Sequence, residues 1–293
     1  MNKAGYLRID AKLHDLGDGF VVRRMLPSVQ RRTVGPFVFL DHIGPVDLSP
    51  GKAVDVRPHP HIGLSTMTYL FDGVFTHRDS LGVVQDIRPG AVNWMTAGRG
   101  VVHSERTPEP ERSAGHRVHG VQFWVGLPVK DAEVEPSFSH HATSELPEWI
   151  EGKGRARIRL VAGKAFGYQS PVPVYSNLFC LDVELKDGGS LTVPDEHAER
   201  AVLVVEGCIE LDGDQFAVHD MMLLQPGCTT LIVARGNARL IVLGGDPLDG
   251  PRNVWWNFVA SSRERIEKAK DDWKSGRFDA VPGETEFIPL PDK

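Results

Sequence analysis

Apolar residues in this chain come in short blocks. They do not recur at the three-to-four spacing of amphipathic helices. The blocks include "GFVVRRML", "STMTYLFDG", "VQFWVGLP", "RIRLVAG", "NLFCLDVEL", "AVLVVEGCIEL", "DMMLLQPG" and "TTLIVA". They are rich in Val, Ile, Leu, Phe and Thr, and Gly, Pro, Asp or Asn punctuates them at intervals of roughly ten residues, the pattern of sandwiches and barrels. An all-β fold is predicted. One helix is predicted at the end, in "SSRERIEKAKDDWKSG", where Ser261 caps, Glu264 completes a capping box and Gly276 stops the run. Its opposite charges pair at helical spacing, which predicts a solvated bracing helix without a catalytic role.

The stretch from Leu127 to Gly154 is polar and proline-containing, and reads as a linker between two β units. The blocks on either side echo each other: "YLFDG" ends at Gly73 and "LVVEG" at Gly207. An internal duplication is expected, with one domain over residues 1–135 and a second over 136–293 that ends in the helix. The 293-residue length suits two such domains.

Composition narrows the function classes. Hydrophobic residues make up 41% and charged residues 25%, as in ordinary globular proteins. The net charge of −6 and the lack of a basic run argue against direct nucleic-acid binding. No stretch matches a secretory signal or a membrane span, so a cytoplasmic protein without membrane contact is expected. Cys180, Cys208 and Cys228 are odd in number and lack C-x-x-C spacing, and are read as buried thiols.

Candidate chemistry centres on "RPHPHIG" and "MTAGRGVVHSE". His59 and His61 stand at i and i+2, as do His103 and Glu105. In an extended chain each pair shares a face. One such pair is a weak signal. Two pairs in one β unit can converge as three imidazoles and a carboxylate, a donor set for Fe(II), Mn(II), Ni(II), Cu(II) or Zn(II). Without cysteine ligands the set does not suit a closed structural zinc site. It leaves one or two positions open on an octahedral ion. The second half lacks the set: Val193 and Asp195 fall where His59 and His61 would, Thr230 falls where His103 would, and His197 or His219 does not complete it. The second unit is therefore expected to bind no metal. Alternation in "VQFWVG" sends Gln122 and Trp124 to one side and Phe123 to the other. His77 is expected to be exposed in a hairpin, His116 and His119 on loops or the surface, and His140 and His141 in the linker. His42 is weighed as a minor candidate for the mouth of the site.

The blocks "RPHPHIGLSTMTYLFDGVFTHRDSLG", "IRPGAVNWMTAGRGVVHSE", "HGVQFWVGLP" and "GGDPLDGP…WWNFVASSRERIEKAKDDWKSGRF" resemble the signature blocks of the pirin family of the cupin superfamily. The resemblance runs nearly end to end. It implies a bicupin of two stacked antiparallel jelly-roll barrels, with one mononuclear metal, most often iron, held in the first by residues matching His59, His61, His103 and Glu105. It implies quercetin 2,3-dioxygenase activity on a flavonol-like substrate with dioxygen. Alternatively, it implies a redox-sensing role through a regulatory protein partner. With a flavonol, Glu105 is expected to act as the base. Two cupin units in one chain could satisfy the usual cupin dimer contact internally, which points to a monomer. One position departs from the pattern: Ser65 stands where many cupins and pirins have Glu.

Overall fold

A computed structural model describes residues 5–15 and 20–291, and the fold is all-β with a C-terminal helix. The chain divides into two units. One comprises Asp15–Val22, Ile43–Thr143 and Leu248–Lys293, and carries both histidine pairs. The other comprises Met1–His14, Arg23–His42 and Ser144–Pro247. The chain therefore does not part at one point near residue 135. The C-terminal helix, assigned from sequence to the second domain, belongs with the histidine-bearing unit.

Each unit is built on one sheet plan. In the histidine-bearing unit a four-stranded sheet runs in the order Asp55–His61, Val101–Arg106, Phe75–Asp79, Val84–Ile87. A longer sheet runs Ser137–His141, Val92–Thr96, Leu64–Asp72, His116–Gly126 and Phe37–Leu48, the last of which belongs to this unit from Ile43 onward. In the second unit the small sheet is Ser190–Val193, Thr230–Ala234, Cys208–Leu211, Asp214–Ala217. Its large sheet is Tyr6–Ile9, Met221–Leu224, Glu199–Glu206, Ala238–Gly245, Leu178–Leu185, Ala156–Ala165 and Glu148–Glu151, with Tyr168–Gln169 pairing beside it. The small sheets match strand for strand and the large ones over the five strands of the first, which is the duplication predicted from "YLFDG" and "LVVEG". The sheets of each unit are separate, not closed barrels. In one respect the sequence reading is corrected: the stretch from Leu127 to Gly154 is no bare linker. It contributes Ser137–His141 to the edge of one sheet and Glu148–Glu151 to another.

Alternation in the strands sorts apolar side chains inward. In the second unit Leu181, Val183, Val202, Val204, Leu240 and Val242 form one continuous core. Cys180 is fully buried, Cys208 half-buried and Cys228 exposed, so only the first fits the expectation of a buried thiol. Burial pushes the Cys180 thiol well above its usual range. A thiol reagent at neutral pH is expected to label Cys228 in the folded protein and to reach Cys180 only on unfolding. Timed alkylation read by mass spectrometry checks this, and prompt labelling of Cys180 would contradict it.

Candidate metal centre

The strand Asp55–His61 lies at the edge of its sheet, with one neighbouring strand there among the described residues. This placement accommodates Pro58 and Pro60, which lack the N–H a central strand needs. On its paired side His59 stands directly opposite His103, and His61 opposite Val101. The pairing then slips: Glu105 faces Val56, so Arg57 and Pro58 together oppose Ser104. This bulge bends the proline strand beside the histidines. Against its other neighbour the 101–106 strand pairs regularly, His103 with Asp79 and Glu105 with His77. His103 and Glu105 therefore share a face. Ser104 and Arg106 take the opposite one, where both bond the Glu284 carboxylate.

The three predicted imidazoles do come together. Ligand atoms of His59, His61 and His103 lie within 4.8 Å of one another. Their ring centroids are 4.4 to 5.0 Å apart. His59 Nδ1 is 2.9 Å from the Arg57 carbonyl and His61 Nδ1 is 3.2 Å from the Asn257 carbonyl. A carbonyl can only accept, so both rings carry their proton on Nδ1 and present a bare Nε2. Burial holds all three imidazoles below the usual histidine pKa. The effect is strongest for His61 and His103, where the neighbouring histidines add to it. Neutral imidazoles are the form that binds metal. His61 Nε2 and His103 Nε2 are buried with no hydrogen-bond partner. Such orphans call for an explanation. A divalent ion between them supplies one, so these residues fit the group the cupin resemblance implies.

Glu105 stands apart from the imidazole group. It is not among the residues whose ligand atoms meet within 4.8 Å. Its Oε1 accepts bonds from the Thr68 hydroxyl at 3.0 Å and the Gln122 amide at 3.2 Å. Strand alternation puts Gln122 and Trp124 on one side as expected, and that side faces the site: the Trp124 ring meets His61 edge-on at 5.1 Å. His59 and Glu105 are each 7% exposed, whereas His61 and His103 are 1% exposed. What little exposure the four residues have is therefore at His59 and Glu105. Ser65, at the departure from the cupin pattern, is buried and shares a hydrogen bond with Thr96, which also accepts from the Trp94 indole.

Several histidines lie elsewhere than expected. His77 is buried, not exposed. Its Nδ1 is 3.3 Å from His103 Nδ1, and its Nε2 is 2.9 Å from Asp79 Oδ2. The signal for it was present in "THRDS", a third pair at i and i+2 with the spacing of the first two. His42 does not join this site: its ring meets His219, Nδ1 to Nδ1 at 3.0 Å. His119 is buried against Phe71 within the strand His116–Gly126. His140 stands in the edge strand with Nδ1 2.7 Å from the Asn93 carboxamide oxygen.

Elements distant in sequence support the cluster from below. The hairpin Asn253–Trp255 and Phe258–Ala260 carries the Asn257 carbonyl to His61, and Ile62 bridges to Phe258. Gly63 makes this approach possible: its φ is +67°, and a Cβ there would lie 2.0 Å from the Val259 carbonyl oxygen. The helix Arg263–Lys274 buries Ile266 and Ala269 against Ile62 and Phe258. Its N-cap is Ser262, whose hydroxyl accepts from Arg265 N–H, so the cap lies one residue later than predicted and the Ser261–Glu264 box is not used.

In the second unit Val193 stands directly opposite Thr230, as His59 stands opposite His103. The correspondence read from the glycine echoes is thus the structural one. Its side chains offer no imidazole at either position.

The comparisons with known proteins agree with this picture. A family profile described as "Pirin" matches residues 19–125, and one described as "Pirin C-terminal cupin domain" matches residues 180–279. A pirin-like protein of Caulobacter vibrioides is 50% identical over 98% of this chain and 99% of its own length. A crystal structure of a quercetin 2,3-dioxygenase from Acinetobacter baumannii superposes with a TM-score of 0.89 at 32% identity, covering 98% of this chain and 96% of that one. A pirin from Escherichia coli, solved in complex with nickel(II), shares the fold at 17% identity with a TM-score of 0.64, over 83% of this chain and all of that one. The sheet plan, the imidazole cluster and these matches together place the chain in the pirin family.

Proposed function

We propose that this protein is a metal-dependent dioxygenase that opens flavonol-type enols between positions 2 and 3, with dioxygen as co-substrate and carbon monoxide released. The observation that carries the reading is the buried pair of bare nitrogens, His61 Nε2 and His103 Nε2, beside His59. The likeness to a solved quercetin 2,3-dioxygenase supports the substrate class. His59, His61 and His103 hold the ion, with Glu105 as the carboxylate on the same strand face. Fe(II) is the ion we assign. The same donors also accept nickel, copper, manganese or zinc. When bound, the ion supplies Lewis acidity toward a chelating enolate and redox chemistry toward dioxygen.

The residues around it prepare the substrate. A flavonol 3-hydroxyl must lose its proton to chelate. Glu105 is the carboxylate at the less buried side of the cluster, and both of its side-chain hydrogen bonds fall on Oε1. Oε2 is then the atom that takes the proton. Thr68 and Gln122 hold the carboxylate in orientation, and the Trp124 ring walls the site beside His61. Oxygen uptake with quercetin tests the reading, compared between iron-loaded and metal-stripped protein whose metal content is known from elemental analysis. Uptake at background in the fully loaded protein would overturn it. Glu105→Gln is expected to retain metal while flavonol turnover falls by about 10² to 10⁴, the usual contribution of a positioned base. Wild-type turnover in that variant would remove Glu105 from the reaction.

A further inference from the structure

We infer that Asp79 and His77 form a relay that sets which nitrogen of His103 is free to bind metal. The inference rests on the metal reading above. His59 and His61 are fixed by backbone carbonyls, which accept only. His103 is different: its Nδ1 meets another imidazole nitrogen, His77 Nδ1, at 3.3 Å. Either ring could be the donor in that contact. Asp79 decides. Its Oδ2 lies 2.9 Å from His77 Nε2, and a carboxylate can only accept, so His77 Nε2 carries the proton. With that one proton on its ring, His77 accepts at Nδ1. His103 must donate from Nδ1, which leaves its Nε2 bare. That is one of the two orphaned nitrogens of the cluster. The relay is held at both ends: Asp79 Oδ1 accepts from the backbone N–H groups of Leu81 and Val83, and the His77 ring stacks on Phe138 with centroids 4.5 Å apart. His77 and Asp79 are therefore positioning residues, acting through His103.

This predicts the effect of a near-isosteric change. In Asp79→Asn the two backbone donors keep the amide oxygen at the Oδ1 position, which puts the NH₂ group toward His77 Nε2. His77 must then accept at Nε2 and donate from Nδ1. His103 is forced to accept at Nδ1 and to carry its proton on Nε2, where the ion should bind.

Two readouts test the relay. In metal-free protein, long-range ¹H–¹⁵N spectra of the imidazoles are expected to show His103 protonated on Nδ1 in the wild type and on Nε2 in D79N. Competition titration with Fe(II) and Ni(II) is expected to show a loss of about 10- to 100-fold in affinity for D79N, the range for outer-shell partners of metal-bound histidines. His77→Leu removes the acceptor and is expected to give mixed His103 tautomers. The double variant is expected to lose no more affinity than H77L alone, because the Asp acts only through the His. Should D79N not fold, H77L and the wild-type spectrum carry the test. A wild-type His103 protonated on Nε2, or a D79N with unchanged tautomer and affinity, overturns the relay while the metal site stands. A wild type that binds neither ion, yet has His103 protonated on Nδ1, overturns the metal reading and leaves the tautomer assignment intact.

Discussion

His103→Ala is expected to abolish stoichiometric metal binding. The ring is the cross-strand partner of His59, and its Nε2 is one of the two buried orphans. Losing it removes one of three imidazoles, which costs more than the 10- to 100-fold that outer-shell partners contribute. It also strips the contact from His77 Nδ1. Elemental analysis after purification and equilibrium titration with Fe(II) check the loss. In the wild type, chelation is expected to lower the melting temperature, since an ion held by the folded state alone stabilises by mass action. In H103A, chelation is expected to change nothing. A variant that still takes up one equivalent of metal would exclude His103 from the donor set.

The second large effect is expected far from any ligand in sequence. Phe258→Ala removes a fully buried ring packed with Ile62 and Ile266. Truncations of this kind cost about 3 to 5 kcal/mol. For a unit of this size each kcal/mol lowers the melting temperature by roughly 2 to 4 °C, so a fall on the order of 10 °C is expected in the transition of the histidine-bearing unit. Because Phe258 follows Asn257, loosening it also frees the carbonyl that fixes His61 Nδ1. Metal affinity is therefore expected to fall together with stability. Differential scanning calorimetry and metal titration on one preparation measure both. Unchanged affinity in a destabilised F258A would show that the hairpin braces the unit without orienting His61.

Much of the site was legible because a strand repeats every two residues. That period put His59 with His61 and His103 with Glu105, and it set Gln122 and Trp124 on one side of their strand. What stayed hidden depends on partners from distant segments. Strand register, not local pattern, sets His77 diagonal to His103, so an exposed hairpin looked reasonable although "HRD" repeats the same spacing. The Asn257 carbonyl reaches His61 only because the tail folds back under Ile62. The charged face of the last helix hid the two residues that it buries, Ile266 and Ala269. The Glu105 carboxylate is drawn to Thr68 and Gln122, donors on two other strands that a linear reading cannot pair with it.

The valine and threonine that face each other in the second unit bear on how a duplicated protein specialises. Backbone register was kept there while donor atoms were absent, and Val193 now belongs to a sealed hydrocarbon interior. Writing histidine into positions 193 and 230 would restore the sequence signature but not the chemistry. The larger rings would overfill a packed space at a cost of about 1 to 3 kcal/mol. For an engineer seeking a two-centre catalyst from this scaffold, hollowing out that interior comes before installing any ligand.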